Sequence, residues 1–240
     1  MNEARAMTTL CYFVAGTDTG VGKTRVTTAL LTAARNQGMA VAGMKPVAAG
    51  AEWRDGRLIN EDAVFIGVAS GQSSPYEEIN PYCLLEPVSP HIAAKSANIV
   101  LDITLITEIA AKLKVGRDLL LIEGAGGWYA PISDQASMAD VAVALACPVI
   151  LVVGLKLGCL NHARLTVEAI HRSGCAFAGW IGNEIDPHFA ALAENLATLE
   201  RLIGTKPIAI LPYAAESLTD ARQVRNAIPR LLASRSNQNA

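Results

Sequence analysis

The stretch Gly16-Thr-Asp-Thr-Gly-Val-Gly-Lys-Thr24 decides which fold is expected for this chain. It follows the apolar run 10–15 and precedes a segment whose apolar residues recur with helical spacing. A strand, a glycine-rich loop, a Lys-Thr pair and a helix, in this order, predict a loop that cradles phosphate groups. Backbone N–H groups and the helix dipole would face the phosphates, with Lys23 at the outer phosphates and Thr24 at Mg²⁺. The common motif is broken at one position, where Thr17 replaces the usual first glycine.

The composition describes a large, nearly neutral chain of 240 residues, 51% of them hydrophobic, with a formal net charge of −2. These values predict one α/β domain over residues 1–240, with loose ends at 1–7 and 234–240. A charge near zero disfavours a broad surface for nucleic acid or membrane, so we expect neither partner. The first residues lack the long apolar stretch of a secretory signal, which favours a cytoplasmic protein.

The cysteines are scattered along the chain without a Cys-x-x-Cys pair: Cys11, Cys83, Cys147, Cys159 and Cys175. A structural zinc site needs closely spaced ligands, so this distribution does not predict one. Several of the cysteines lie in or beside apolar runs. We therefore expect reduced, mostly buried thiols in a reducing compartment.

Segments with the patterns of strands and helices alternate from end to end. The predicted strands are 10–15, 40–45, 118–122, 148–153, 177–182 and 207–211. The predicted helices are 24–36, 60–69, 102–114, 138–146, 161–172, 189–203 and 218–232, and an irregular segment is expected at 70–96. Continuous apolar strands that alternate with helices are typical of a parallel sheet covered on both faces. The predicted fold class is therefore α/β of the P-loop NTPase type, with a mostly parallel central sheet and helices on both faces.

Several polar residues lie at or directly after the ends of predicted strands. They are Lys23 and Thr24 after the first strand, Lys45 at the second, Glu123 at the third, Asn183 after the fifth, and Pro212 and Tyr213 after the sixth. Because ligands of open parallel sheets bind at the carboxyl ends of the strands, these residues are expected to line one crevice. Two lysines that converge there suit the transfer of a phosphoryl group, which depends on positioning and positive charge.

Two carboxylates are candidate ligands for Mg²⁺. Glu123 ends a buried strand and precedes Gly-Ala-Gly-Gly, whose small residues let the backbone approach a bound group, so we predict that it binds the metal. The predicted helix 60–69 is expected to begin with Asn60 as its N-cap. Asp62 lies near the start of this helix, where acidic residues also stabilise the first turn. The residues alone leave both roles open for Asp62 and favour the structural one.

The segment Gly158-Cys-Leu-Asn161 stands at the start of a predicted helix. Free N–H groups at such a position could hold a carboxylate. Asn161 could equally be an ordinary N-cap of that helix. The pattern of residues does not decide between these two roles.

A series of segments resembles the dethiobiotin synthetase family, in the family's order. They are Gly16-Thr-Asp-Thr-x-Val-Gly-Lys-Thr24, Lys45-Pro-Val-Ala-x-Gly50, Asn60-x-Asp-Ala63, Ser89-Pro-His91, Glu123-Gly-Ala-Gly-Gly-Trp128, Gly158-Cys-Leu-Asn-His162 and Asn183. The resemblance implies a homodimeric enzyme of biotin synthesis that uses ATP and Mg²⁺. Such an enzyme would convert 7,8-diaminononanoate and CO₂ to dethiobiotin, through a carbamate and a carbamic–phosphoric anhydride.

The resemblance also implies a role for each matching residue. Lys23 and Lys45 would be catalytic, and the Mg²⁺ ligands would be Thr24, Asp62 and Glu123. The predicted nucleotide-binding residues are Thr19, Gly20, Val21, Gly22, Lys23, Thr24, Arg25, Asp62, Glu123, Gly124, Ala125, Gly126, Asn183, Pro212, Tyr213 and Ala214. The predicted diamine-binding residues are Thr19, Lys45 and Ala49 and, across a subunit interface, Gly158, Cys159, Leu160 and Asn161.

One departure from the family and two alternative functions follow from the same residues. Ala49 stands where the family usually has a small polar residue whose hydroxyl contacts the substrate, so that hydrogen bond is missing. A related P-loop amide synthase or ligase acting on another substrate would need a glutamine-hydrolysing domain or partner, and the assigned elements leave no such domain. A ParA-like ATPase switch usually carries a second lysine early in its phosphate loop, where this chain has Thr17, Asp18 and Thr19.

Overall fold

In a computed structural model of the chain, the structure describes residues 9–213 and 217–233, so the predicted loose ends 1–7 and 234–240 lie outside it. The strands are β1 (Leu10–Gly16), β2 (Val41–Met44), β3 (Val47–Ala48), β4 (Glu52–Arg54), β5 (Arg57–Ile59), β6 (Tyr82–Cys83), β7 (Leu119–Glu123), β8 (Val149–Leu155), β9 (Phe177–Glu184) and β10 (Ala209–Leu211). The helices are α1 (Lys23–Arg35), α2 (Glu61–Ala69), α3 (Tyr76–Ile79), α4 (Pro90–Ser96), α5 (Ile103–Lys114), α6 (Met138–Leu145), α7 (Cys159–Arg172), α8 (Leu192–Ile203), α9 (Ser217–Val224) and α10 (Ala227–Ala233). None of the helices within the described ranges is long and apolar enough to cross a membrane.

The central sheet is parallel and runs in the order β10-β9-β8-β1-β7-β2. Near the end of β1, Val14 pairs with Glu123 of β7, and Gly16 pairs with Val152 of β8. This register brings the start of the phosphate loop level with the carboxylate at the end of β7. The predicted α/β fold with a mostly parallel sheet is confirmed.

Apolar side chains cover both faces of this sheet. Along β1, Phe13 and Ala15 belong to one core, and Tyr12 and Val14 belong to the other. Helices α5 to α8 pack on the Phe13 side, and α1, α2, α9 and α10 pack on the Tyr12 side. Strands that are buried on both faces need apolar residues at successive positions, which explains their continuous apolar runs in the sequence.

Three segments differ from the predicted elements. The region 70–96, expected to be irregular, contains α3, β6 and α4. The hairpin of β4 and β5 is missing from the predicted elements, although Asp55 and Gly56 at its turn have φ of 50° and 78°, as an Asp-Gly turn requires. The predicted helix 218–232 is divided into α9 and α10, because Pro229 lacks an N–H and its ring would clash with the carbonyl of residue 225 in a continuous helix.

A disulfide joins Cys11 and Cys147, which corrects the expectation that all the cysteines are reduced thiols. The two residues are 136 positions apart, Cys11 on β1 and Cys147 two residues before β8, and the pairing of these strands brings them together. Their spacing in the sequence could not predict this bond, because the contact depends on the order of strands in the sheet. The other cysteines, Cys83, Cys159 and Cys175, are free.

Candidate active site

The loop between β1 and α1 has glycines where side chains would collide with its own atoms. A Cβ on Gly16 would lie 2.9 Å from Lys23 Nζ and 2.8 Å from Val21 Cγ2. Gly22 has a φ of 86°, and a Cβ there would lie 2.0 Å from Asn183 Nδ2. The close turn of the loop therefore depends on Gly16 and Gly22, which is compatible with Thr17 at the position of the usual first glycine.

Lys23 is the first residue of α1, and its side chain lies against the loop. Its Nζ donates to the carbonyl oxygens of Asp18 at 3.0 Å and Gly126 at 2.7 Å. Burial and the charge of Lys45 lower the pKa of Lys23 to about 8, against the opposing effect of Glu123. A buried ammonium whose hydrogen-bond partners are neutral carbonyls is well placed to receive an anion.

Lys45 follows β2 and lies between two carboxylates. Its Nζ donates to Glu123 Oε1 at 2.5 Å and to Asp62 Oδ2 at 2.9 Å, and its side chain is 6% exposed. The Thr24 hydroxyl donates to the same Glu123 oxygen at 2.8 Å. Residues from α1, β2, α2 and β7 therefore meet at one edge of the sheet, as the strand-end pattern predicts.

Opposite charges in this cluster stabilise the ionised forms of Lys45 and Asp62. Burial acts to lower the pKa of Lys45, but Glu123 and Asp62 outweigh it and raise that pKa above its usual value. Burial acts to raise the pKa of Asp62, but Lys45 and the Thr24 hydroxyl outweigh it, and that pKa is lowered. Lys45 and Asp62 are therefore both charged at neutral pH.

The oxygen atoms of the cluster suit a divalent cation. Glu123 is fully buried, and its Oε2 has no hydrogen-bond partner within the described part of the chain. A buried carboxylate oxygen without a partner is costly unless a bound group compensates it. The described residues contain no cluster of three or more His, Cys, Asp and Glu side chains that could hold a metal. Two carboxylates and the Thr24 hydroxyl nevertheless fit Mg²⁺, which prefers oxygen ligands and usually keeps waters and substrate phosphates as its other ligands.

A cavity of about 780 Å³ opens at this edge of the sheet. The predicted site residues that line it are Thr19, Gly20, Gly22, Lys23, Thr24, Lys45, Ala49, Asp62, Glu123, Ala125 and Gly126. Pro87 to Pro90 contribute another part of the wall, so the region between α3 and α4 belongs to the site. The volume is that of a small-molecule site.

Other predicted site residues do not line this cavity. They are Val21, Arg25, Gly124, Asn183, Pro212 and Tyr213, together with Gly158, Cys159, Leu160 and Asn161 at the start of α7. Ala214 lies outside the described residues. Gly158 and Asn161 are exposed, so the start of α7 faces solvent in the single chain. The structure therefore brings together the phosphate loop and the charged cluster, and it leaves the start of α7 apart from them.

Asn183 is buried, and both groups of its amide are engaged. Its Nδ2 donates to the Val21 carbonyl at 2.9 Å, and its Oδ1 accepts from Arg25 at 2.7 Å. Arg25 also donates to the Pro212 carbonyl and, through two nitrogens, to Asp220. This network joins the phosphate loop to β9 and α9. No local signal in the sequence indicates it, because Arg25 and Asp220 meet only in the folded chain.

Asn60 lines the cavity but is absent from the predicted site residues. The sequence pattern predicts it as the N-cap of α2, and the structure places it there, but its side chain makes no capping hydrogen bond. Its Oδ1 is buried without a partner in the described part of the chain. The signal in the sequence is an asparagine two residues before Asp62. This spacing does not indicate whether the Asn60 side chain caps α2 or faces the cavity.

The fold is similar to that of solved P-loop NTPases. The MinC:MinD cell division protein complex of Aquifex aeolicus matches with a TM-score of 0.59 at 15% identity, covering 93% of this chain and 96% of that chain. The signal recognition particle receptor FtsY from Elizabethkingia anophelis matches with a TM-score of 0.53 at 13% identity, covering 92% of this chain and 65% of that chain. At such low identity the likeness concerns the fold alone.

Sequence relatives are much closer than these structures. Residues 11–221 match the family described as an AAA domain. A curated relative from Aromatoleum aromaticum, named ATP-dependent dethiobiotin synthetase BioD, is 46% identical over 215 residues, which cover 90% of this chain and 93% of the relative. A relative of the same name from Chromohalobacter salexigens is 47% identical over 221 residues, which cover 88% of this chain and 93% of the relative. The chain belongs to the dethiobiotin synthetase family.

Proposed function

We propose that the chain is an ATP- and Mg²⁺-dependent cyclo-ligase that makes dethiobiotin from 7,8-diaminononanoate and CO₂ in biotin synthesis. The observation that supports this most is the meeting of Lys23, Lys45, Asp62 and Glu123 around one cavity beside the phosphate loop. The shared name of the relatives indicates the reaction, and the charges of the cluster suit it. The enzyme would act in the cytoplasm, without a nucleic-acid or membrane partner.

The triphosphate of ATP would lie against the loop from Gly16 to Thr24. Lys23 would exchange its carbonyl partners for phosphate oxygens, because a charged acceptor compensates a buried ammonium better than a neutral one. The residues that would surround the phosphates are Thr19, Gly20, Val21, Gly22, Lys23, Thr24, Arg25, Gly124, Ala125 and Gly126.

The adenine base would be bound by Asn183 and by the segment Pro212, Tyr213 and Ala214. The amide of Asn183 has one possible orientation, because Arg25 can only donate to it and the Val21 carbonyl can only accept. One N–H and one lone pair of the amide are left over in this arrangement. An asparagine amide can pair with both the N6 and N7 positions of adenine, so this remaining capacity suits that base.

Thr24, Asp62 and Glu123 would hold Mg²⁺, as the unpaired Glu123 Oε2 and the oxygen ligands support. When bound, the ion would neutralise charge on the phosphate oxygens of ATP. Lys45 already neutralises part of the charge of both carboxylates. The same lysine holds the pKa of Asp62 below its usual value, so that carboxylate would be available to the metal in its charged form.

The reaction would proceed in three steps. First, one amine of the diamine attacks the carbon of CO₂ and loses a proton, which gives a carbamate. Second, a carbamate oxygen attacks the γ-phosphorus of ATP, and the bond between that phosphorus and ADP breaks. Third, the second amine attacks the carbamoyl carbon and loses a proton, which closes the ring and expels phosphate. Lys23 and Lys45 would stabilise the negative charge on the transferring phosphoryl oxygens, and Lys45 would also face the carbamate.

We also propose that the site is completed by a second copy of the chain in a homodimer. The start of α7 supports this, because it is exposed and does not line the cavity of its own chain. Its free N–H groups would bind the carboxylate of the diamine held by the other subunit, since helix starts favour anions. The residues concerned are Gly158, Cys159, Leu160 and Asn161. Within the cavity, Thr19, Lys45 and Ala49 would contact the diamine.

The proposed reaction is tested by measuring ADP release in the presence of bicarbonate and Mg²⁺, with and without the diamine. We expect the diamine to stimulate ADP release strongly and saturably, because the carbamate is the nucleophile. A monoamine of the same chain length is the control for ring closure, since it can form a carbamate but should yield no cyclic product. An ATP turnover that the diamine leaves unchanged would remove the proposed substrate.

A further inference from the structure

Asn60 presents an unused hydrogen-bond acceptor at the wall of the cavity. The residue is 8% exposed, and it lines the cavity together with Ala48, Ala49 and Asp62. Two buried side-chain polar atoms in the described part of the chain have no hydrogen-bond partner, Asn60 Oδ1 and Glu123 Oε2. Both belong to residues of this one cavity. Because buried polar atoms are normally paired, these two mark positions that a ligand completes.

The orientation of the Asn60 amide follows from its neighbour. Its Nδ2 donates to the Ala49 carbonyl oxygen at 3.3 Å. The reversed amide would place two acceptors, Asn60 Oδ1 and the Ala49 oxygen, against each other, so the nitrogen must face Ala49. An asparagine at an N-cap usually accepts a hydrogen bond from the first turn of its helix, and Asn60 does not do so. Asn60 Oδ1 therefore accepts no hydrogen bond from the N–H groups of α2.

A chain of hydrogen bonds connects the backbone of Asn60 to the backbone of Lys45. The backbone N–H of Asn60 donates to the Tyr76 hydroxyl at 2.7 Å, and that hydroxyl donates to Asn80 Oδ1 at 3.2 Å. Asn80 Nδ2 in turn donates to the Lys45 carbonyl at 2.7 Å. Asn60 and the lysine expected at the carbamate are therefore positioned by the same buried network.

The chemistry of this part of the wall favours an aliphatic amine. Ala48, Ala49, Pro87 and Pro90 are apolar and suit a hydrocarbon chain, whereas a neutral amide oxygen repels phosphate oxygens and attracts N–H donors. We propose that Asn60 Oδ1 accepts a hydrogen bond from an N–H of the diamine, on the free amine or on the carbamate nitrogen. This inference rests on the proposed function, and it adds a substrate-binding residue on the side where Ala49 has no hydroxyl to offer.

The test compares Asn60→Ala with Asn36→Ala, a control at the exposed far end of α1. We expect Asn60→Ala to raise the KM for the diamine about threefold to tenfold, the effect of one lost hydrogen bond, and to leave the KM values for ATP and Mg²⁺ unchanged. Asn36→Ala should change none of these. Calorimetric titration of the diamine in the presence of MgADP should show the same loss in affinity, and thermal unfolding checks that both variants fold.

A second variant, Tyr76→Phe, keeps the Asn60 side chain but removes the hydroxyl that receives its backbone N–H. It should raise the KM for the diamine by a smaller factor than Asn60→Ala, again without an effect on ATP. Diamine kinetics and affinity that match the wild type in both variants would overturn the role of Asn60 while leaving the proposed function intact. A parallel rise in the KM for Mg²⁺ would instead assign Asn60 Oδ1 to the metal and also overturn it. A wild-type protein that neither binds nor converts the diamine would remove both proposals.

Discussion

Lys45 is the residue on which the charge balance of the site depends. It is buried, and it is shared by Glu123 and Asp62 through short ion pairs. This lysine lowers the pKa of Asp62, and in the proposed reaction it would supply positive charge where the phosphoryl group is transferred. Its position directly after β2, a buried strand of the central sheet, places it beside the phosphate loop.

Replacing Lys45 by Ala should reduce kcat about a hundredfold or more, because the variant lacks charge that acts on the transferring phosphoryl group. The dissociation constant for ATP should change little, since the loop and Lys23 remain. Rapid-quench measurement of a single turnover and a separate nucleotide titration give the two values. Lys112→Ala on the exposed face of α5 is the control. A turnover near that of the wild type would show that Lys45 has no such role.

Replacing Glu123 by Gln should weaken the apparent affinity for Mg²⁺ by about tenfold or more, a loss that even supporting residues of metal sites produce. The amide keeps the size of the side chain but removes the negative charge beside Lys45. Activity is titrated with Mg²⁺ at saturating ATP, and Glu168→Gln on the exposed side of α7 serves as the comparison. An unchanged Mg²⁺ requirement would exclude Glu123 as a ligand.

Among single residues, the sequence predicts the site residues that lie at the end of a buried strand or shortly after it. Lys23, Thr24, Lys45 and Glu123 are found in this way, and the structure brings them together. Asn60 is not, because an asparagine at an N-cap can bind its own helix or turn away. The Ala49 carbonyl, which accepts from Asn60 Nδ2, decides between these two orientations, and it lies eleven residues earlier in the chain.

At the scale of elements, α9 is fastened to α1 by a buried ion pair. Both carboxylate oxygens of Asp220 accept from Arg25, and the Asp220 side chain is 3% exposed. The same guanidinium holds Asn183 and the Pro212 carbonyl. Helix α9 is therefore attached to the start of α1 and to the end of β9 through the single side chain of Arg25.

Asp220→Ala should lower the free energy of unfolding by about 3 kcal/mol, because it leaves the Arg25 guanidinium partly buried without its carboxylate. Replacing both partners by apolar residues, Arg25→Met with Asp220→Leu, should cost clearly less than the single change. Urea unfolding of the wild type, both single variants and the double variant completes the cycle. Losses that simply add would contradict a coupled buried pair.

The sequence predicts best those elements whose own residues show a clear hydrophobic pattern. β1, β7 and β8 are buried on both faces and therefore read as apolar runs. The short strands β3 and β6 pair with each other across more than thirty residues and have no pattern of their own. The division of α9 from α10 depends on Pro229, which disrupts the preceding turn although the apolar residues on either side keep a helical pattern.

At the scale of the whole molecule, the proposed site needs two chains. Co-expression of Lys45→Ala and Asn161→Ala subunits should therefore give more activity than either variant has as a homodimer. Half of the dimers would be mixed, and one of their two sites would combine an intact Lys45 with an intact Asn161, which predicts about a quarter of wild-type activity. Separately purified variants, assayed without mixing, are the control. No recovery in verified mixed dimers would indicate that each site is complete within one chain.

Family membership could be predicted because the matching motifs lie along most of the chain, and the relatives confirm it. The Cys11–Cys147 bond could not, since it arises from strand order rather than from spacing. The proposed second subunit has no signal in the sequence pattern apart from the family resemblance. The exposed start of α7, which does not line the cavity of its own chain, supports that proposal.

We propose that the charged cluster beside the phosphate loop couples ATP cleavage to ring closure through a carbamate. Oxygen-18-labelled bicarbonate, supplied with the diamine and MgATP, tests this when dethiobiotin and phosphate are followed by mass spectrometry. We expect dethiobiotin in equal amount to ADP, with one labelled oxygen in each phosphate released. Phosphate without the label, or ADP without dethiobiotin, would contradict it.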